Sequence, residues 1–141
     1  MSSTTRRGLV AVTRGCPCKG LTLAKLLRPA LMTVLADGAI HGYRIIEGLA
    51  ASPVMHGSPP DPAGVYRTLR AMEREGLVRS TWHPSGQGPA KRTYRLTPAG
   101  RACLQTWVST LKTYRNAVEG LLLSAKAALK TRRRTARKPA K

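Results

Sequence analysis

The residues best suited to chemistry in this chain are arginines set three and four apart, Arg67, Arg70 and Arg74. At about 100° per residue they fall on one side of a helix, almost opposite Val65, Leu69 and Met72. Arginine on a solvent face suits both phosphate oxygens and the O6/N7 edge of guanine, and a helix about 12 Å across fits the major groove of a duplex. Arg67 and Arg70, toward the N-terminal half, are the expected base readers, and Arg74 the expected phosphate contact. Further on, Lys91 and Arg92 leave a stretch containing Gly86, Gly88 and Pro89. A basic hairpin tip there can reach an adjacent minor groove or backbone. Arg95 alternates with Tyr94 and Leu96 and is expected to face outward. Each arginine alone is an ordinary solvated charge; their joint placement on a helix face and a hairpin points to nucleic acid.

A second chemistry is offered by thiols. Cys16-Pro17-Cys18-Lys19-Gly20 sets two of them at chelating spacing beside Arg14 and Lys19, whose charges favour thiolates. With Cys103, three thiolates would suit a soft metal, an iron–sulfur cluster or, through Cys-Pro, haem. Redox cross-linking and inert thiols are the competing readings, because three cysteines cannot all pair and a cytoplasmic setting disfavours structural disulfides. His41, His56 and His83 have no metal-ligand spacing; His41 is expected to cap a helix and the others to sit in loops. The six acids, Asp37, Glu47, Asp61, Glu73, Glu75 and Glu119, are mostly accounted for by helix termini and helix faces. No paired carboxylates, Ser/His/Asp set or Gly-rich phosphate loop stands out, so catalysis is not expected.

These side chains need elements to hold them. Leu27, Ala30, Leu31, Val34 and Leu35 have helical spacing, with Pro29 allowed in a first turn and a stop near Asp37-Gly38. Tyr43, Ile45, Ile46 and Leu49 predict a second helix over about 41–51, ended before Ser52-Pro53. Asp61-Pro62 is an N-cap with proline at the first helical position, and Glu75-Gly76 supplies a left-handed stop, so the arginines lie on the best-punctuated helix of the chain. Residues 77–82 and 92–96 are rich in apolar and β-branched types and are expected to pair around the Pro/Gly-rich segment 83–90. Thr97-Pro98 then opens a helix expected to run to about Leu129. Along it Leu104, Leu111, Val118 and Ala125 recur every seven residues, with Trp107, Tyr114, Leu121 and Ala128 three places later. Such an a/d seam, held for about four heptads, calls for a partner helix.

Charge agrees with the arginine reading. The 141 residues carry 25 Lys and Arg against 6 acids, a net +19, and even without the basic segment 126–141 the remainder is +11. Polyanions fit this field, double-stranded DNA above all, and a membrane does not, since no apolar run approaches the roughly 20 residues of a spanning helix. The first residues lack the apolar core of a signal peptide, which predicts a cytoplasmic, nucleoid-associated protein. The expected fold class is mainly α (α+β), a winged helix-turn-helix with a long C-terminal dimerisation helix. The expected division is a flexible arm over 1–20 with the Cys-Pro-Cys segment, a DNA-binding winged helix over 21–97, the dimerisation helix over 98–129 and a disordered basic tail over 130–141.

The chain resembles the PadR family of bacterial transcriptional regulators. The resemblance is carried by His41-Gly42-Tyr43-Arg44-Ile45-Ile46, by Gly64-Val65-Tyr66-Arg67-Thr68-Leu69 through Glu73-Arg74-Glu75-Gly76-Leu77-Val78, and by Lys91-Arg92-Thr93-Tyr94-Arg95-Leu96-Thr97-Pro98-Ala99-Gly100-Arg101. It implies a homodimer joined through C-terminal helices, recognition helices docked in the major groove of a palindromic operator, and repression relieved by a small-molecule or redox effector. It also implies that Tyr66 approaches the DNA backbone, as a phosphate contact. Where many members have Tyr-Pro this chain has Tyr66-Arg67, which adds a cation facing the groove and means that no operator sequence carries over. The other reading open at this level is a non-specific nucleoid- or RNA-associated protein whose instrument is its charge. Thiol- or metal-linked sensing through Cys16, Cys18 and Cys103 is a third.

Overall fold

Capping residues, prolines and glycines divide the chain into short packed elements. The computed structural model describes residues 26–55, 60–84 and 91–137, the last four of these as backbone. Helix α1, Leu27–Val34, buries Pro29, Ala30, Leu31 and Met32. A turn follows in which Gly38 has φ 144°, a conformation that side chains with a Cβ rarely adopt. A two-residue strand β1, Ile40–His41, leads into helix α2, Gly42–Ala50, which buries Gly42, Ile45 and Leu49. His41 occupies the N-cap position, yet its side chain makes no capping hydrogen bond.

Helix α3, Pro62–Arg74, is closed at both ends as its punctuation requires. The Asp61 carboxylate accepts from the Gly64 N–H at 3.1 Å and Pro62 fills the first turn, where no N–H partner is needed. At the other end Gly76 turns left-handed at φ 79°, the Leu77 N–H donates to the Met72 carbonyl at 2.9 Å, and the Gly76 N–H to the Glu73 carbonyl at 3.0 Å. That is the double-bonded Schellman stop, and it satisfies carbonyls the helix itself leaves open.

Strands β2, Val78–His83, and β3, Lys91–Leu96, pair antiparallel from Val78 opposite Leu96 to His83 opposite Lys91. β1 joins the far side of β3, with Ile40 opposite Tyr94, so the sheet order is β1-β3-β2. Two residues carry no readable period, which is why β1 is missing from the sequence-based expectation. The hairpin tip, with Gly86, Gly88 and Pro89, lies outside the described residues, as do His56 and residues 1–25.

The core of this winged helix-turn-helix is Leu31 and Met32 from α1 with Leu35 just after it, Ile45 and Leu49 from α2, Val65, Leu69 and Met72 from α3, and Val78 from β2, every one at most 2% exposed. Val34, expected among them, is only half-buried and packs over Gly48 of α2, where a Cβ would stand 3.0 Å from it.

Helix α4, Pro98–Arg137, opens on a residue that also closes α3. The Thr97 hydroxyl accepts from the Gly100 N–H at 3.0 Å and donates to the Gly76 carbonyl at 2.6 Å. This draws Gly100 so close to the Leu77 carbonyl that a Cβ there would collide with backbone. We expect Gly100→Ala to cost about 1–3 kcal/mol of stability through this overpacking. Chemical denaturation of the full chain measures it, and an unchanged midpoint would mean that the helix start can slide away from Leu77.

The expected end of α4 at Leu129 and the expected disorder from residue 130 are corrected. The helix continues to Arg137, because Ala, Arg and Lys are good helix formers and no proline intervenes before Pro139; residues 138–141 lie outside the described set. By packing the chain divides within α4, into residues 1–104 and 105–141. In the second unit Val108, Tyr114, Val118, Leu121, Leu122, Leu123 and Leu129 are 48–72% exposed.

Candidate nucleic-acid interface

The face opposite the packed side of α3 is cationic. Arg67, Arg70 and Arg74 are all exposed, while Val65, Leu69 and Met72 on the other side are buried. Tyr66, between the two faces, is half-buried. Its hydroxyl would lie 2.8 Å from a Cβ built on Gly42. The glycine of His41-Gly42-Tyr43 therefore makes room for the Tyr66 ring, and α2 fixes where that tyrosine sits on the first turns of α3.

On the hairpin the pleat decides which cations are free, since successive side chains alternate between faces. Lys91 and Arg95 are exposed. Arg79 lies directly opposite Arg95 and is exposed too. Like charges paired across strands repel, so this pair adds nothing to the stability of the hairpin and leaves both cations open to solvent. Sequence reading overlooked Arg79; its signal was the alternation Val78-Arg79-Ser80 with a buried valine.

The expectation that Arg92 reaches outward from the wing beside Lys91 is corrected. Arg92 shares its face of β3 with Tyr94 and is half-buried. Its guanidinium lies 5.2 Å from the Trp82 ring centroid and 5.3 Å from that of Tyr94. Nη2 donates to the Ser80 hydroxyl at 2.8 Å and to Glu73 Oε2 at 3.1 Å. The other carboxylate oxygen, Glu73 Oε1, accepts from the Ser80 N–H at 3.1 Å and the Ser80 hydroxyl at 2.6 Å. One carboxylate of α3 thus holds both strands of the wing, and Arg92 positions the wing instead of reaching from it.

The Ser80 hydroxyl above all, then the Ser80 N–H and Arg92, hold the Glu73 carboxyl below its usual range against the opposing effect of burial. A depressed folded-state value gives stability that is complete above the unfolded value of about 4.3 and is lost as pH falls through the lower folded one. We therefore expect Glu73→Gln to flatten the acid limb of stability below about pH 4.3; an acid limb identical to wild type would show that Glu73 is not linked to folding.

A second ion pair fixes the end of α3. Arg28 donates through both terminal nitrogens to Glu75, at 2.6 and 2.8 Å, and the bond lowers the Glu75 carboxyl from its ordinary value. Of the three cysteines, Cys16 and Cys18 lie outside the described residues, and Cys103 is a half-buried free thiol. Among the described residues no three His, Cys, Asp or Glu side chains come together as a metal site, and no helix is long and apolar enough to cross a membrane.

Comparison with known proteins converges on one family. The model of the transcriptional regulator PadR-like family matches residues 31–106, more than half of the chain. A transcriptional regulator of Mycobacterium tuberculosis is 39% identical over 69 residues, which are 49% of this chain and 60% of that protein. An uncharacterised 37.1 kDa protein of a Streptomyces fradiae transposon is 36% identical over 75 residues, only 20% of its length. The chain thus spans less than two thirds of either relative. Among solved structures, a PadR family regulator from Eggerthella lenta superposes with a TM-score of 0.57 at 27% identity, covering 72% of this chain and 88% of that one. A PadR-like regulator from Bacillus cereus gives 0.59 at 23% identity, covering 71% and 94%, and shares the fold.

Proposed function

The chain belongs to the PadR-like family of transcriptional regulators, and from that premise we propose that it is a repressor that binds a specific operator in double-stranded DNA as a homodimer. The observation that carries this reading is the cationic face of α3: Arg67, Arg70 and Arg74 exposed across the helix from a buried apolar stripe. On it, Arg67 and Arg70 read base edges in the major groove, while Arg74 and Tyr66 hold phosphates. Lys91, with Arg79 and Arg95 behind it, meets the flanking backbone.

Dimerisation is supported by α4, whose seam residues Val118 and Leu121 are 65% and 70% exposed in the single chain. Apolar side chains repeating every seven residues and left to water are the mark of a helix awaiting its partner. Two copies then present two recognition helices to two half-sites about one helical turn apart.

A gel shift against the DNA upstream of its own reading frame tests the proposal. Binding no tighter than to a random duplex at matched salt would sink it and leave a non-specific polyanion binder. Within a specific complex, Arg67→Ala should lose about 1–3 kcal/mol and relax the requirement at one base position. An equal loss on every sequence would make Arg67 a phosphate contact.

A further inference from the structure

Beside the cationic face lies a cleft that duplex binding does not explain. Five ring side chains, His41, Tyr43, Tyr66, Trp82 and Tyr94, wall a space of about 380 Å³, and Lys91 and Arg92 are also part of its lining. The volume falls within the range of small-molecule sites, about 300–1,000 Å³. Trp82 and Tyr43 are 60% and 53% exposed, and the His41 and Tyr43 rings stack 5.9 Å apart, within 5° of parallel. A paired duplex offers phosphates to such a cleft, which the Tyr66 hydroxyl can meet, but keeps its ring faces stacked inside, so the faces of the aromatic walls have no partner in B-form DNA; stacking platforms take free rings.

The polar atoms of the cleft add an anion to the ring. His41 Nδ1 and Arg92 Nε are buried without a hydrogen-bond partner, and buried polar atoms ordinarily have one. Lys91 and Arg92 of the lining are joined by Arg70, exposed one turn along α3 from Tyr66, against the Glu73 carboxylate that is bonded to Arg92. That balance of cations suits a doubly charged group better than a singly charged one.

We propose that this cleft is an effector site for a small molecule made of a flat ring system and a phosphate monoester, a mononucleotide in the simplest case, and that ligand and DNA exclude one another. The exclusion rests on the DNA-binding reading above, because Tyr66 and Lys91 serve both the cleft and the duplex. The site itself does not.

The test uses the full chain in two measurements at fixed ionic strength. Calorimetry with adenosine 5′-monophosphate, adenosine, inorganic phosphate and 2-naphthoate reads the site; a gel shift with the same compounds reads the exclusion. We expect adenosine 5′-monophosphate to bind at least tenfold tighter than the other three and to release the duplex. Tyr43→Ala should weaken it at least tenfold and leave DNA affinity within twofold of wild type. Equal binding of adenosine or phosphate alone, equal binding of 2-naphthoate, absence of binding, or a nucleotide complex that still holds DNA each overturns the proposal. If wild type shifts no duplex at all, the DNA-binding reading fails and takes the exclusion with it, while calorimetry still decides the site.

Discussion

Replacing Val118 and Leu121 together by aspartate is expected to leave the protein monomeric and to weaken operator binding by about 10²- to 10⁴-fold. In the single chain these side chains are 65% and 70% exposed, three residues apart on one stripe, so each chain of a paired helix would place two carboxylates in a dry seam. Burying an unpaired charge is far more unfavourable than burying a leucine is favourable. The loss on DNA follows from arithmetic rather than from any contact of α4 with the operator. When two readers are joined, the second half-site is bound at high effective concentration, and a monomer loses that advantage entirely. The core of the winged unit, from Leu31 to Val78, contains neither residue, so thermal unfolding of residues 1–104 should still be cooperative. Light scattering reads the oligomeric state, and a variant that remains dimeric at micromolar concentration would remove the seam from the account.

How much of this was legible in sequence depended on whether a residue acts through its local neighbours. Asp61-Pro62, Glu75-Gly76 and Thr97-Pro98 punctuate helices within a few residues of themselves, and the structure starts and stops α3, and starts α4, where they stand. The three arginines of α3 were readable for the same reason, since a helix face is a local property. Arg92 was not. Its surroundings are set by β2 pairing with β3 and by a carboxylate on α3 nineteen residues earlier in the chain. β1 was likewise invisible, because a two-residue strand exists only through its partner. The aromatic cleft assembles residues from five elements, and neither their spacing nor their type marks them as neighbours.

The carboxylate that sequence reading passed over yields the second large expectation. Counted from Val65, Glu73 falls at about 80° around α3, at the edge of the apolar stripe and not among the arginines. An acid in that position, in a chain with 25 cations and 6 acids, is placed to receive something from the adjoining layer. Glu73→Ala should cost about 1–3 kcal/mol, more than the 0–1 of a typical surface pair. The reason is that it takes the shared acceptor from three donors at once, the Ser80 N–H, the Ser80 hydroxyl and Arg92 Nη2, of which only Nη2 keeps another partner, the Ser80 hydroxyl oxygen. The carboxylate and Arg92 side chains are only 31% and 30% exposed, so water replaces those bonds incompletely. Function should suffer in a different manner from Arg67→Ala. Freed from α3, the wing loses its fixed angle to the recognition helix, and DNA binding should weaken about equally on operator and mutated operator, with base preference retained. Ser80→Ala should reproduce part of the effect, since it removes one of the three donors and leaves the Glu73–Arg92 pair. Denaturant titration together with binding to both duplexes decides the matter. A Glu73→Ala protein with wild-type stability, or one that loses preference at a single base, would mean that the wing is held by something other than this carboxylate.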